Sequence, residues 1–289
     1  QAQSGMTLPS TLAFDYPTAR QLAGYFESTA TPAGGEKKAS PAAAVGGADG
    51  PTKTMSSSVV RIGGMSALAP KGVVTLTELA GMASCGTPVT EEVPHSRWSL
   101  DPLPADADDL SRRVRHGSWL RDADFFDNKF FSVSPAEAMA MDPQQRFLLE
   151  GGYEALHAAS LQKAAIMGCV VGVFVGISAN DWADVIRATP MAKSVYSATG
   201  SAHSIASGRI SFALGLLGPC VTYDTACSAA LSANHAGLRA IQMNECVSGL
   251  VSGVNLMLLP GMSISFGTAG MTSPNGKCHT FDKRADGYC

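Results

Sequence analysis

Residues 221–240, VTYDTACSAALSANHAGLRA, place one cysteine among very small residues at the start of a predicted helix. The stretch begins as a short strand and continues as a helix, because apolar residues repeat at helical spacing after Cys227. Cys227 therefore falls at a strand-to-helix junction, with the small residues Ala226, Ser228 and Ala229 beside it. Such neighbours leave room for a substrate to reach the sulfur.

Two roles for this cysteine are open on the stretch alone. Free N–H groups and the helix dipole at a helix N-terminus favour the thiolate, which is the nucleophilic form of cysteine. The same N–H groups can stabilise the oxyanion that forms when a thiolate attacks a thioester. The alternative is a small buried residue that fills space in the core, which is the usual role of a free cysteine.

Composition limits the classes of function that this chain can have. The 289 residues are 45% hydrophobic and 16% charged, enough for one large domain or two smaller ones. The formal net charge of −3 argues against a partner that is nucleic acid or a polybasic membrane contact.

Cysteine usage and the apolar runs indicate the compartment. There are seven cysteines, an odd number, and no pair has the C-x-x-C spacing of a metal or redox site. A reducing compartment is the simpler interpretation. No secretory signal is visible, and the longest apolar runs are too short and too rich in glycine to span a bilayer. These features predict a cytoplasmic protein with no membrane span and no metal site.

Three segments differ in composition. Residues 1–28 contain a stretch with Pro17 and Thr18 at its start and apolar residues at helical spacing after them. Residues 29–57 are rich in Ala, Gly, Pro, Ser and Lys, which predicts a flexible linker. Residues 58–289 carry the pattern of a globular domain. We place the domain boundaries at these positions.

The third segment alternates strand and helix patterns. Buried strands are predicted in VVRIGGM, GCVVGVFVGIS and GLVSGVNLMLL, which begin at residues 59, 168 and 249. Helices are predicted in DPQQRFLLEGGYEALHAA, SAHSIASGRISFAL and CSAALSANHAGLRAIQ, which begin at residues 142, 201 and 227. This order predicts an α/β fold with a mixed or mostly parallel sheet.

The first segment resembles the end of a carrier domain. The string LPSTLAFDYPTARQLAGYF, residues 8–26, is similar to the last helix and its L-P-x-T-x-x-F-D-x-P-T lead in acyl carrier proteins of modular synthases. The resemblance implies that residues 1–28 are the tail of such a domain. The serine that carries 4'-phosphopantetheine in that family would then lie upstream of Gln1.

The residues around Cys227 resemble a known active-site element. DTACSAAL, residues 224–231, closely resembles the D-T-A-C-S-S-S-L element of β-ketoacyl synthases, which surrounds their nucleophilic cysteine. Other blocks follow in that family's order: EVPHSRW at 92–98, DADFFDNKFFSVSPAEAMAMDPQQRFLLEGGYEAL at 122–156, VGVFVGISANDW at 171–182, TGSAHSIASGRISFALGLLGP at 199–219, LVSGVNLMLLP at 250–260 and AGMTSPNGKCHTFDKRADGY at 269–288. The chain is similar above all to the ketosynthase of type I modular polyketide synthases.

This resemblance implies a fold, a reaction and partners. The fold is thiolase-like, an α/β/α/β/α body of two similar halves, of which residues 58–289 would supply the N-terminal half. Cys227 would take an acyl chain from a carrier thioester, and a malonyl-type thioester on a second carrier would then condense with it. Acyl carrier protein domains, in cis or in trans, are the expected partners. A homodimer is expected, and the ketosynthase itself needs no cofactor.

The chain stops short of two elements that the family uses. The catalytic histidines of ketosynthases lie in H-G-T-G-T and N-x-G-H motifs, and neither motif occurs here. His203 and His235 lie outside any such motif, and we expect packing or surface roles for both. The second half and its histidines are therefore expected to follow Cys289, and residues 1–289 alone are not expected to run the condensation.

Three functions remain open. The first is an elongating ketosynthase of a modular polyketide synthase. The second is a non-elongating ketosynthase that holds or passes the chain, which keeps the cysteine but alters the first histidine motif. The third is a condensing enzyme of a fatty acid synthase. The carrier tail argues against the third, since animal-type fatty acid synthases begin with the ketosynthase.

Overall fold

A computed structural model of the chain describes Tyr25, residues 59–99 and residues 108–289. Apart from Tyr25, the predicted carrier tail at 1–28 lies outside the described ranges, as do the linker at 29–57 and its boundary with the domain. The helices are α1 Leu76–Cys85, α2 Asp108–Arg113, α3 Pro135–Ala140, α4 Pro143–Ala158, α5 Lys163–Ile166, α6 Asp181–Arg187, α7 Ser197–Ser201, α8 His203–Leu214, α9 Ala229–Gln242 and α10 Gly261–Thr268. The strands are β1 Glu91–Glu92, β2 His116–Gly117, β3 Val171–Gly176, β4 Cys220–Tyr223 and β5 Ser248–Gly253. Short 3-10 turns are Pro70–Gly72, Pro190–Lys193 and Ala226–Ser228.

Three parallel strands form the centre of the domain. The sheet order is β4-β3-β5, and β3 pairs in parallel with both neighbours. All six residues of β3 are buried, as expected for a strand that is covered on both faces. The register places Gly176 opposite Tyr223 on one side and Gly253 on the other. The carboxyl ends of the three strands therefore reach the same edge of the sheet.

Helices cover both faces of this sheet. The valines of β3 belong to a cluster with α4 and α8, which contribute Leu149 and Ile210. Phe174, which lies between two of those valines, belongs to a second cluster with Ala233 of α9. Successive side chains of a strand point to opposite faces, so one short strand supports both layers. The predicted α/β class, the parallel sheet and the three predicted helices are confirmed.

Helix α4 is fixed at its start and along one side by its sequence. The Asp142 carboxylate caps the helix by accepting the Gln144 amide N–H at 2.8 Å, and Pro143 occupies the first turn, where no N–H is needed. Gly152 faces β5, because a β-carbon there would lie 3.1 Å from the Leu250 side chain. Gly151 meets only the Ser66 hydroxyl, at 3.8 Å, so no close contact requires a glycine at that position.

Two glycines let the start of α9 approach the sheet. A β-carbon on Gly176 would lie 2.4 Å from the backbone nitrogen of Ala230 and 2.5 Å from the carbonyl carbon of Ala229. A β-carbon on Gly253 would lie 2.6 Å from the β-carbon of Ala230. These distances are too short for any side chain, so the ends of β3 and β5 must be glycine for the helix to begin here.

The first predicted strand, VVRIGGM at 59–65, is wrong. No strand is assigned there, and Val59 and Ile62 are 81% and 79% exposed. The segment lies instead across α4, where a β-carbon on Gly64 would be 2.3 Å from the carbonyl oxygen of Ala155. Both edges of β3 are already paired, so the central strand has no free edge for this segment.

Within the described ranges, the helices are too short or too polar to cross a bilayer.

We predict that Gly176→Ala lowers the free energy of unfolding by about 1–3 kcal/mol, because the methyl group must displace the backbone of α9. Urea or thermal unfolding of the purified protein measures the change. Gly208→Ala is the matched control, since Gly208 lies within α8 and a β-carbon there has no neighbour within 4 Å. The control should be unchanged or stabilised by up to ~1 kcal/mol, the helix propensity gain of alanine. Equal stability of both variants would contradict the close approach.

Candidate active site

Cys227 lies on the turn that joins β4 to α9. The 3-10 turn Ala226–Ser228 precedes the first residue of the helix, Ala229, so the thiol is at the helix N-terminus as predicted. The cysteine is exposed, which excludes the alternative of a buried residue that fills the core. Ala226 has a φ of 52°, a left-handed conformation that costs a residue with a side chain some strain.

Asp224 stabilises this strained turn. Its carboxylate accepts the amide N–H of Ala226 at 3.0 Å, and the Ser178 hydroxyl from the loop after β3 also hydrogen-bonds to it. The Ala226 amide, the Ser178 hydroxyl and the charge of His203 lower the pKa of Asp224 below its usual range. Asp224 therefore stays ionised and able to accept hydrogen bonds at neutral pH.

Three hydroxyl groups tie the other side of the turn to the helix. The Ser228 hydroxyl lies 2.9 Å from both the carbonyl oxygen and the hydroxyl oxygen of Thr225. The Thr225 hydroxyl is also 3.0 Å from that of Ser232, one turn into α9. The residues on each side of Cys227 are thus held by side-chain hydrogen bonds, while Cys227 itself is exposed.

A buried polar network supports the loops behind the site. The Gln144 side chain donates to the carbonyl oxygen of Ala179 at 2.8 Å and accepts the amide N–H of Leu256 at 3.1 Å. It thereby joins the loops that follow β3 and β5. Asp142 shares this network, and its burial raises its pKa. His203 contacts the same carbonyl oxygen of Ala179 at 3.0 Å.

Tyr288 is distant from Cys227 in sequence, yet its phenol interacts electrostatically with that cysteine. Partial burial and the charge of the Cys227 thiolate raise the pKa of Tyr288. The ring packs against Phe266 of α10, with centroids 6.2 Å apart. Backbone hydrogen bonds join Tyr288 to Met271 and Ser273 at 3.0 and 2.9 Å. Sequence patterns did not single out Tyr288, because no spacing rule links it to Cys227.

The other cysteines and histidines have different surroundings. Cys85, also exposed, is the last residue of α1 and thus lies at a helix C-terminus. Cys246 is buried in the cluster under α9, and burial raises its pKa. His203 binds a backbone carbonyl and His235 is exposed on α9, in agreement with the packing and surface roles predicted for them. Cys227 is the one residue predicted as catalytic, and its geometry suits a nucleophile.

Comparison with known proteins assigns the family. Residues 57–289 match the family model described as "Beta-ketoacyl synthase, N-terminal domain". The polyketide synthase GfsB of Streptomyces halstedii is 39% identical over 99% of this chain. The pikromycin polyketide synthase component PikAII of Streptomyces venezuelae is 37% identical, also over 99%. The chain spans 5% and 8% of the length of these two relatives.

Solved structures agree with this assignment. The ketosynthase from module 6 of the bacillaene synthase of Bacillus subtilis 168 superposes with a TM-score of 0.69 at 32% identity. The match covers 78% of this chain and 37% of that one. Such ketosynthases are thiolase-like, which confirms the predicted fold class. The chain therefore belongs to the β-ketoacyl synthase family of condensing enzymes, and residues 57–289 match the N-terminal domain of that family.

Proposed function

We propose that this chain supplies the nucleophile-bearing half of an elongating ketosynthase in a modular polyketide synthase. The Cys227 thiolate attacks the carbonyl carbon of an acyl thioester on a carrier domain. The carbon–sulfur bond to the carrier breaks, and the carrier's 4'-phosphopantetheine thiol leaves with a proton. The complete domain then joins the acyl group to a malonyl-type thioester with loss of carbon dioxide. The observation that carries this proposal is the exposed thiol at the N-terminus of α9.

The local backbone supports the acylation step. Within the described ranges, the amide N–H of Cys227 donates no hydrogen bond, and no side chain caps the start of α9. Free N–H groups at a helix N-terminus stabilise negative charge, both on a thiolate and on the oxyanion of a tetrahedral intermediate. Phosphopantetheine belongs to the carrier partner and reaches Cys227 as part of the substrate.

An open face of α9 supports a second half of the fold. Leu231 is 70% exposed and Leu238 is 38% exposed, and the two are separated by two helical turns. An apolar stripe of this kind is normally covered by another element. We infer that the C-terminal half, with the two histidines that condensation needs, packs there. A non-elongating domain would share this face but would differ in the first histidine motif.

An exposed sheet edge supports the expected homodimer. β4 is the edge strand of the sheet, so one side of its backbone has no strand partner among the described residues. Exposed apolar side chains surround this edge, with Phe212 90% exposed on α8, Leu217 68% exposed and Val221 37% exposed. Unpaired edges with apolar surroundings favour strand pairing with another chain. We propose that two copies meet along β4.

We predict that Cys227→Ala abolishes covalent acylation of the ketosynthase in the complete protein. Intact-domain mass spectrometry after incubation with an acyl thioester measures the adduct. Cys220→Ser is the matched control, because Cys220 is also exposed but lies within β4 instead of at the helix N-terminus. The control should keep the full adduct. An acyl adduct that persists in Cys227→Ala would refute the assignment of the nucleophile.

We predict that Asp224→Ala slows acylation of Cys227 roughly tenfold, the factor that corresponds to one lost hydrogen bond of ordinary strength. The Ala226 amide then loses its acceptor, and the left-handed turn relaxes. Asp224→Asn keeps an oxygen for this amide and should stay within about twofold of the native rate. The rate of adduct formation from a small acyl thioester distinguishes the two variants. A tenfold loss in both variants would show that the rate depends on the negative charge of Asp224 and not on its hydrogen bond to the turn.

We predict that Phe212→Glu combined with Leu217→Glu raises the dimer dissociation constant at least about tenfold, since charges would enter an apolar interface. Light scattering across a concentration series of the complete ketosynthase measures this constant. Phe125→Glu is the control, since Phe125 is 69% exposed on a segment outside the proposed interface. Dimers of unchanged strength in the double variant would exclude this surface.

A further inference from the structure

Two cysteines outside the nucleophilic turn, Cys278 and Cys289, contact each other. The amide nitrogen of Cys289 is 3.1 Å from the sulfur of Cys278, and that thiol lies 3.5 Å from the carbonyl oxygen of Cys289. The Cys278 sulfur thus contacts both the backbone nitrogen and the carbonyl oxygen of Cys289. Both cysteines are in the thiol form, with Cys278 exposed and Cys289 half-buried.

The backbone holds Cys289 in this place. Tyr288, the residue before it, accepts the amide N–H of Ser273 at 2.9 Å and donates its own to Met271 at 3.0 Å. Gly287 has a φ of 139°, and a β-carbon there would lie 2.4 Å from the backbone of Thr272. The segment is therefore fixed against residues 271–273. A disulfide needs two residues in close contact, and the Cys278 sulfur already lies against the backbone of Cys289.

We propose that Cys278 and Cys289 form a reversible disulfide directly after Tyr288 in the chain. The oxidant is a small disulfide such as glutathione disulfide. The Cys278 thiolate attacks one of its sulfurs and releases one glutathione thiolate, which takes up a proton. The Cys289 sulfur then attacks the sulfur of Cys278, loses its proton and releases the second glutathione. Two protein thiols are oxidised and one glutathione disulfide is reduced to two glutathione molecules.

Exposure and charge set the order of these two steps. Burial and the nearby charge of Cys278 raise the pKa of Cys289 to about 11, so this thiol stays protonated at neutral pH. Cys278 is the more accessible of the two and meets the oxidant first. Cys289 is then already next to the mixed disulfide that it must resolve. A close neighbour of this kind is typical of redox-sensitive cysteines.

The disulfide would bear on the nucleophile through Tyr288. Tyr288 is bonded directly to Cys289 and interacts with the charge of Cys227. Residues 279–288 would be enclosed in a covalent loop, so Tyr288 would lose conformational freedom. Formation of the disulfide does not require acyl transfer, and the inference therefore stands apart from the proposed function.

The test exposes the complete protein to graded ratios of reduced and oxidised glutathione, then quenches with acid and blocks free thiols with N-ethylmaleimide. The Cys227→Ala form is treated in parallel, so that oxidation is scored without any acyl transfer. Trypsin cleaves after Lys277, Lys283 and Arg284, which places Cys278 and Cys289 in separate peptides. A disulfide between them therefore appears in mass spectrometry as a linked pair of peptides.

The linked pair should rise as the share of oxidised glutathione rises, and dithiothreitol should remove it. Cys278→Ser and Cys289→Ser should each abolish the pair, whereas Cys85→Ser, at an exposed cysteine on α1, should leave it unchanged. The proposal is overturned if Cys278 carries only glutathione while Cys289 carries only N-ethylmaleimide at every ratio. It is equally overturned if Cys278 or Cys289 links mainly to another cysteine.

Discussion

The N-terminus of α9 lies against the carboxyl ends of β3 and β5. This close contact requires a glycine as the last residue of each strand. Gly176 and Gly253 are paired across the sheet, and a β-carbon on either would come within 2.6 Å of Ala229 or Ala230. The helix can therefore begin directly over the sheet edge, where the strand ends and their loops converge. The position of the Cys227 turn depends on this approach, and so does the covering of one sheet face by α9.

Contacts from several loops then hold the turn. Asp224 accepts the amide N–H of the left-handed Ala226, and the loop after β3 contributes the Ser178 hydroxyl, which hydrogen-bonds to Asp224. The thiol remains exposed within this frame, since its neighbours in the chain are alanine and serine. A nucleophile that must accept a large acyl carrier needs this combination of a rigid backbone and an open approach.

Several helices and strands could be predicted because the pattern of each is typical of one kind of element. The run at 171–176 is too apolar and too short for anything but a buried strand, and Asp142 before Pro143 is a clear helix start. The segment at 59–65 is also rich in apolar residues but carries Arg61, and it lies across α4 instead of in the sheet. Tyr288 and the Cys278–Cys289 contact could not be predicted either, because both arise where distant segments meet. Sequence patterns constrain neighbours in the chain, whereas these contacts depend on the tertiary fold.

The most direct test of this account compares two exposed cysteines in one molecule. Cys227 lies at the N-terminus of α9, where a helix dipole favours negative charge. Cys85 lies at the C-terminus of α1, where a helix dipole disfavours negative charge. The measurement is the rate of alkylation of each by iodoacetamide at neutral pH, followed by peptide mass spectrometry. Cys227 is expected to react roughly tenfold faster or more, since free N–H groups at a helix N-terminus stabilise negative charge on a reacting sulfur. Equal rates, or a faster Cys85, would contradict the assignment of Cys227 as the activated nucleophile.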